Sequence, residues 1–86
     1  MDPVQCRMAR AAIGVSIAEF AELAKVSTNT VVRFERSEEL KKSTIDHMAS
    51  VFRGLGVTFL ADTGNGIGVL YKREDGTEVI THRTRD

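Results

Sequence analysis

The stretch from Ser16 to Arg36, SIAEFAELAKVSTNTVVRFER, constrains the fold of this chain more than any other. Ser16 is a good helix N-cap, and Glu19 three residues later completes a capping box. Ser27 can cap a second helix, and only a tight turn fits between the two segments. The pattern therefore predicts two short helices, at about 17–24 and 28–36, that cross at a steep angle.

The two predicted helices each have an apolar side and a polar side. Ala21 is small enough for a close crossing, and Val31 and Phe34 share one face of the second helix. The residues of the first helix that are expected to face inward are Phe20, Ala21, Leu23 and Ala24. The opposite face of the second helix carries Thr28, Asn29, Val32, Arg33 and Arg36. Such a face is typical of a helix that enters a DNA major groove.

The same residues resemble the helix-turn-helix of the Cro/repressor-type (Xre-like) bacterial and phage regulators. The matching segments are VSIAEFAELA, VSTNTVVRFER and IDHMASVFRGLGVTFL, and the resemblance covers about residues 4–71. It implies a mainly α, lambda-repressor-like helix-turn-helix domain of about four helices with a short C-terminal β extension. Lys25 stands where the family usually has glycine at the turn, which predicts a non-glycine residue with positive φ. Ile17 stands where a glutamine often contacts the DNA backbone.

The resemblance implies sequence-specific binding of double-stranded DNA, with the second helix of the motif as the recognition helix. Regulation would be repression by a homodimer on inverted-repeat operators. Asn can pair bidentately with adenine and Arg with guanine, so Asn29, Arg33 and the neighbouring Thr28 are candidate base contacts. Ser27 and Thr30 are candidate contacts to the DNA backbone, and the N-terminus of the first helix at Ser16 can offer its free N–H groups to a phosphate. Arg36 and Lys41 are further candidate DNA contacts.

Two further helices are predicted outside this stretch. Asp2 and Pro3 open the first, which ends at Gly14 and is expected to keep Gln5, Arg7 and Arg10 facing out. Another begins after a cap at Ser43 or Thr44 and ends near Gly56, a candidate left-handed residue. Its apolar stripe, expected to close the core over the first and third helices, is Ile45, Met48, Ala49, Phe52 and Leu55.

The C-terminal third predicts strands at about 57–62, 68–73 and 77–82. Asp75-Gly76 is a two-residue hairpin signal, and pairing across it sets Lys72 opposite Val79 and Tyr71 opposite Ile80. Residues 1–56 thus form the predicted helix-turn-helix domain. Residues 57–86 form a β extension of the same domain and are expected to act as a dimerisation element, with the fourth helix and strand 57–62 as the dimer surface. The tail 83–86 is expected to be loose.

Composition limits the classes of function. The 86 residues allow one domain, and 12 basic against 12 acidic residues argue against a general polyanion binder. A single cysteine, Cys6, indicates a reducing compartment. No apolar run approaches the ~20 residues of a membrane span, and the N-terminus lacks a signal-peptide core. We therefore expect a cytoplasmic, nucleoid-associated protein without a membrane partner.

Other chemistry finds little support in the sequence. The glycine-rich run at Gly64, Gly66 and Gly68 lacks phosphate-loop spacing, and His47, His82 and Cys6 lack metal-ligand spacing. We expect no catalysis, no cofactor and no metal. Two alternatives to a simple regulator stay open. One is an antitoxin that binds DNA and docks a second small protein, a toxin, and the other is a protein-binding module of the same fold without DNA activity.

Overall fold

In a computed structural model, the chain forms a mainly α fold with a small antiparallel sheet. The structure describes residues 1–73 in full and the backbone of residues 78–82. Its helices are α1 (Pro3–Ile13), α2 (Ile17–Ala24), α3 (Thr28–Glu35) and α4 (Lys42–Gly54). Its strands are β1 (Val57–Leu60), β2 (Gly68–Lys72) and β3 (Glu78–His82). In this part of the chain, no helix combines the length and the apolarity that crossing a membrane requires.

Local capping chemistry fixes where most of the helices begin. The Asp2 carboxylate accepts the Val4 N–H at 2.8 Å, and the Gln5 side chain accepts the Asp2 N–H at 2.9 Å. The predicted capping box of Ser16 and Glu19 is confirmed at the start of α2. Helix α4, however, begins before Ser43, and its N-cap is Lys41, which makes no side-chain capping bond. The prediction of a serine or threonine cap there was wrong.

Aromatic stacking joins the helices at the centre of the core. The rings of Phe20 on α2 and Phe52 on α4 stack with centroids 4.0 Å apart, and Phe59 on β1 meets Phe52 edge-on at 6.1 Å. Helix α4 therefore makes its main contacts with α2 and β1, rather than with α1 and α3 as predicted. Two predicted core leucines, Leu23 and Leu55, are 51% and 38% exposed.

The sheet shares one hydrophobic core with the helices. Its strand order is β1-β2-β3, and α1 packs against β2 and β3. Val57 and Val69 are buried with the helical core residues. Strand β1 ends at Leu60, earlier than predicted, and the carboxylate of Asp62 then accepts the backbone N–H of Gly64 at 2.9 Å.

The register between β2 and β3 differs from the predicted one by one residue. Lys72 pairs with Glu78 and Tyr71 with Val79, whereas the hairpin signal predicted Lys72 with Val79. Five residues separate Lys72 from Glu78, an odd number that a two-residue turn does not produce. The predicted turn at Asp75-Gly76 and the tail 83–86 lie outside the described residues.

Helix α1 is covered on the side that the sequence predicts to be exposed. Gln5, expected to face solvent, is 6% exposed. Its side-chain amide donates to the carbonyl oxygens of Leu60 at 2.9 Å and Gly68 at 3.0 Å, which belong to paired residues of β1 and β2. The predicted outward position was wrong because the sheet folds over α1 and supplies buried acceptors for the amide.

Candidate nucleic-acid interface

A three-residue turn joins α2 to α3 and sets their relative position. Lys25 ends α2 with φ of 57°, which confirms the predicted positive φ at a residue that is not glycine. The N–H of Lys25 donates to Glu22 at 3.2 Å, and the N–H of Val26 donates to Ala21 at 3.0 Å. These bonds satisfy the last carbonyls of α2 while the chain reverses toward α3. Ala21 is 3% exposed, and α2 and α3 are in contact.

Helix α3 has one side in the core and one in solvent. Val31 and Phe34 are 0% and 3% exposed, so they anchor the helix. Thr28, Asn29 and Arg33 are exposed on the outer side. The three predicted base-contacting residues therefore lie together on one accessible face of the helix. The amide of Asn29 and the guanidinium of Arg33 are side-chain groups that form hydrogen bonds with base edges.

The predicted backbone-contacting hydroxyls lie at helix starts, where they cap. Ser27 Oγ accepts the N–H of Thr30 at 3.0 Å and lies 2.8 Å from Thr30 Oγ1. Ser16 Oγ accepts the N–H of Glu19 at 3.1 Å. The return bond from the Ser16 N–H lowers the pKa of the Glu19 carboxyl, and the bond to the Ser16 side chain lowers it further. Ser16 and Ser27 remain exposed beside the first turns of α2 and α3.

The C-terminal end of α3 places a carboxylate beside Arg33. Ser37 has φ of 66°, and the N–H of Glu38 donates to the carbonyl of Arg33 at 3.0 Å. This reversal brings Glu38 Oε1 to 3.2 Å from Arg33 Nε, with side chains 46% and 45% exposed respectively. Among the described residues, the terminal guanidinium nitrogens of Arg33 have no hydrogen-bond partner. The charge of Arg33, one of the predicted base contacts, is thus partly neutralised by a residue of the same chain.

Two other cations predicted to contact DNA follow α3 in the chain. Arg36 and Lys41 are exposed, and neither forms an ion pair with a residue in 1–73. Lys42 differs, because its ammonium group lies 2.9 Å from Asp46. That contact lowers the pKa of the Asp46 carboxyl. Arg36 and Lys41 therefore keep their positive charge available to a polyanion, and both follow the C-terminal end of α3 in the chain.

A buried ion pair behind α3 escaped the sequence interpretation. Glu35, to which the sequence analysis assigned no role, is 5% exposed. Arg10, which was expected to face out, donates to both of its carboxylate oxygens, and this raises the pKa of Arg10. Arg7 donates to the Glu35 carbonyl. The sequence spacing could have indicated that Glu35 faces inward, because Glu35 follows the buried Val31 by four residues and therefore lies on the same side of the helix.

The Cys6 thiol completes this buried cluster. It is fully buried and donates to Glu35 Oε2 at 3.2 Å. Burial raises the pKa of Cys6, and the hydrogen bond to the Glu35 carboxylate raises it further, so the sulfur stays protonated. Cys6 therefore acts as a hydrogen-bond donor that helps to hold the end of α3 against α1.

The described residues were also searched for a metal site. In residues 1–73 no cluster of histidine, cysteine, aspartate and glutamate has the makings of a metal site. His47 instead lies with Nε2 at 2.8 Å from the carbonyl oxygen of Ala24, at the end of α2.

No protein-family model matches the chain, and no curated protein matches it significantly.

Proposed function

We propose that α2, the turn and α3 form a helix-turn-helix, and that the protein binds double-stranded DNA sequence-specifically through the outer face of α3. One observation carries the proposal. Helix α3 buries Val31 and Phe34 and leaves Asn29 and Arg33 in solvent on its other side. An amide and a guanidinium one turn apart can pair with adenine and guanine on neighbouring base pairs of a major groove.

Contacts to phosphate would orient this face on the duplex. The N-terminus of α2 at Ser16 offers backbone N–H groups and a partial positive charge to a phosphate. Arg36 and Lys41, which follow α3 in the chain, add exposed positive charge. Ile17 packs against the core, so a side-chain phosphate contact at that position is lost. With a formal net charge of zero, affinity then depends on a few local contacts rather than on a general attraction to DNA.

The regulatory outcome would be repression. A homodimer would present two copies of α3 to half-sites about one helical turn, ~34 Å, apart on an inverted repeat. Occupancy of that operator would block polymerase access to the promoter. Action at the nucleoid in the cytoplasm follows from this role.

A docking function is the second candidate. Leu23 and Leu55 are exposed on a chain that buries its other described large apolar side chains more completely. The pairing of Arg33 with Glu38 also reduces the positive charge available for DNA. An antitoxin would combine the apolar surface with DNA binding, whereas a protein-binding module would use the surface alone.

Selection of bound sites from random duplexes at low salt tests the proposal directly. We expect enrichment of a defined sequence arranged as an inverted repeat. In electrophoretic shifts, the logarithm of the association constant of the protein for this sequence should fall linearly with the logarithm of the salt concentration. The slope should be about −0.9 per phosphate neutralised. A chain carrying both Asn29→Ala and Arg33→Ala is the control and should enrich no comparable sequence. Failure of the wild type to enrich any sequence at low salt contradicts DNA recognition.

Expression in its native cell followed by affinity purification separates the docking candidates. An antitoxin should co-purify stoichiometrically with a second small protein and still enrich DNA. A protein-binding module should retain a partner and enrich none. Purification of the chain without another protein, together with operator enrichment, supports the simple regulator.

A further inference from the structure

One apolar side chain, that of Val32, lies on the polar outer face of α3. Val32 follows Thr28 by four positions and Asn29 by three, so the three side chains share one side of the helix. Val32 is half-buried, whereas the core-facing Val31 and Phe34 are 0% and 3% exposed. In residues 1–73, the half-buried apolar side chains that pack against the hydrophobic core do not include Val32. Its isopropyl group therefore keeps apolar surface in contact with water beside the candidate base contacts.

The stability of the fold does not account for valine at this position. A β-branched side chain loses rotational freedom in a helix, so valine favours a helix less than alanine, leucine or lysine does. Its half-exposed position also limits the apolar area that folding removes from water. The neighbouring residues of this face, Thr28, Asn29 and Arg33, all carry groups that form hydrogen bonds. Val32 thus adds an apolar surface to a face of hydrogen-bonding side chains.

The major groove offers such a surface one apolar partner. The base edges present hydrogen-bond donors and acceptors there, together with the C5-methyl group of thymine. Contact between this methyl group and the isopropyl group of Val32 would remove both from water. Cytosine carries no methyl group at the same carbon, so the contact distinguishes the two pyrimidines.

The spacing of Val32 and Asn29 limits where this thymine lies. Cβ atoms three residues apart on a helix are ~5–6 Å from each other, and successive base pairs rise by ~3.4 Å along the duplex. The two side chains therefore reach bases no more than about two base pairs apart. We propose that Val32 is a specificity-determining residue that contacts the C5-methyl group of a thymine within about two base pairs of the adenine that Asn29 binds. This contact rests on the proposed function, because it requires α3 to enter a major groove.

Replacing thymine by uracil tests the contact directly. Uracil pairs with adenine and keeps the O4 acceptor, but it lacks the C5-methyl group. Each thymine of the sequence enriched from random duplexes is replaced in turn, and binding is measured by electrophoretic shift at low salt. For the wild type, uracil at one position of each half-site should weaken binding about threefold to tenfold, the expected effect of a lost methyl contact. Val32→Ala should bind the thymine and uracil duplexes at that position equally well.

Thr28→Ser is the matched control. Thr28 carries another methyl group on this face, one turn before Val32, and serine removes that methyl group while keeping the hydroxyl. Thr28→Ser should therefore retain the preference for thymine over uracil. If Thr28→Ser loses the preference and Val32→Ala keeps it, Thr28 is the residue that contacts the methyl group, and the assignment of Val32 is overturned.

Two further measurements distinguish a base contact from a role in folding or in phosphate binding. The melting temperature of Val32→Ala should stay within a few degrees of that of the wild type, because the residue does not pack in the core. The salt dependence of binding should also be unchanged, because valine neutralises no phosphate. A variant that fails to fold, or one whose salt slope falls, overturns the proposal.

Failure of this contact and failure of DNA recognition are distinguishable. An enriched sequence without thymine, or one that the wild type binds equally well with uracil at every thymine position, removes the contact and retains DNA recognition. A wild type that enriches no sequence removes both. A thymine preference that depends on Val32 and not on Thr28 supports both.

Discussion

The guanidinium of Arg10 and the carboxylate of Glu35 form two hydrogen bonds, from Nε to Oε2 at 2.6 Å and from Nη2 to Oε1 at 2.7 Å. Their side chains are 18% and 6% exposed. The pair joins α1 to the last residue of α3, so the position of the outer α3 face depends on a contact made on its inner side. The end of α3 is therefore held by a charge-assisted pair as well as by apolar packing.

Glu35→Ala should destabilise the fold strongly. Removing one member of a largely buried ion pair leaves the other without its partner, and such losses cost about 3 kcal/mol or more. Urea unfolding followed by circular dichroism measures the change in the free energy of unfolding. Glu38→Ala is the control because its pair with Arg33 is exposed, and it should cost less than about 1 kcal/mol. Equal costs for the two variants contradict this account.

Gln5→Glu should destabilise the junction between α1 and the sheet. The two side chains have nearly the same shape, but a carboxylate cannot donate to the carbonyl oxygens of Leu60 and Gly68. Leaving these acceptors without their donor should cost about 1–3 kcal/mol at neutral pH. Thermal unfolding measures the stability of the variant against that of the wild type. If the two are equally stable, the hydrogen bonds donated by the Gln5 amide contribute nothing to stability.

Lys25→Gly should be neutral or stabilise the fold by up to about 1 kcal/mol. Glycine removes the steric cost of φ at 57°, which offsets its greater freedom in the unfolded chain. Lys25→Ala is the control, since alanine loses the charge but keeps the strained backbone. Chemical unfolding should therefore rank glycine above alanine at this position. The reverse order means that Lys25 is not strained.

Arg33→Ala and Asn29→Ala should relax operator discrimination without unfolding the domain, because both side chains are exposed. Each should lose about 1–3 kcal/mol of preference for the correct base over others at one position of the site. Arg36→Ala should instead weaken binding to all sequences alike and reduce the salt slope by about one. Competition binding against duplexes with single base changes separates the effects. Unchanged discrimination in both alanine variants removes the base-contact assignment.

Glu38→Gln should raise the affinity for DNA. The Glu38 carboxylate lies 3.2 Å from Arg33 Nε. On the proposed function, DNA would have to displace this carboxylate, or bind a guanidinium whose charge it partly neutralises. Relief of this competition should strengthen binding about threefold to tenfold at low salt, with a smaller gain at high salt. Glu39→Gln makes the same change of charge at the adjacent exposed residue and should have a smaller effect. Equal gains for both variants indicate a general charge effect.

The local features of this chain were predictable because they depend on residues close together in the sequence. The caps at Asp2, Ser16 and Ser27, the left-handed residue at Lys25 and the exposed side of α3 each follow from contacts within a few positions. A capping bond spans three residues and a helix face repeats every three to four. The candidate residues for DNA contact are accordingly the ones that the sequence alone could name.

Only the tertiary structure decided what the inner and lateral surfaces do. Gln5 meets acceptors 55 and 63 positions away, and Arg10 meets Glu35 across 25 positions. Leu23 and Leu55 have apolar periodicity, but the described part of the chain leaves them 51% and 38% exposed, and α4 packs on α2 and β1 rather than on α1 and α3. Hydrophobic periodicity states which residues favour burial, whereas the packing of distant elements determines which of them find a partner.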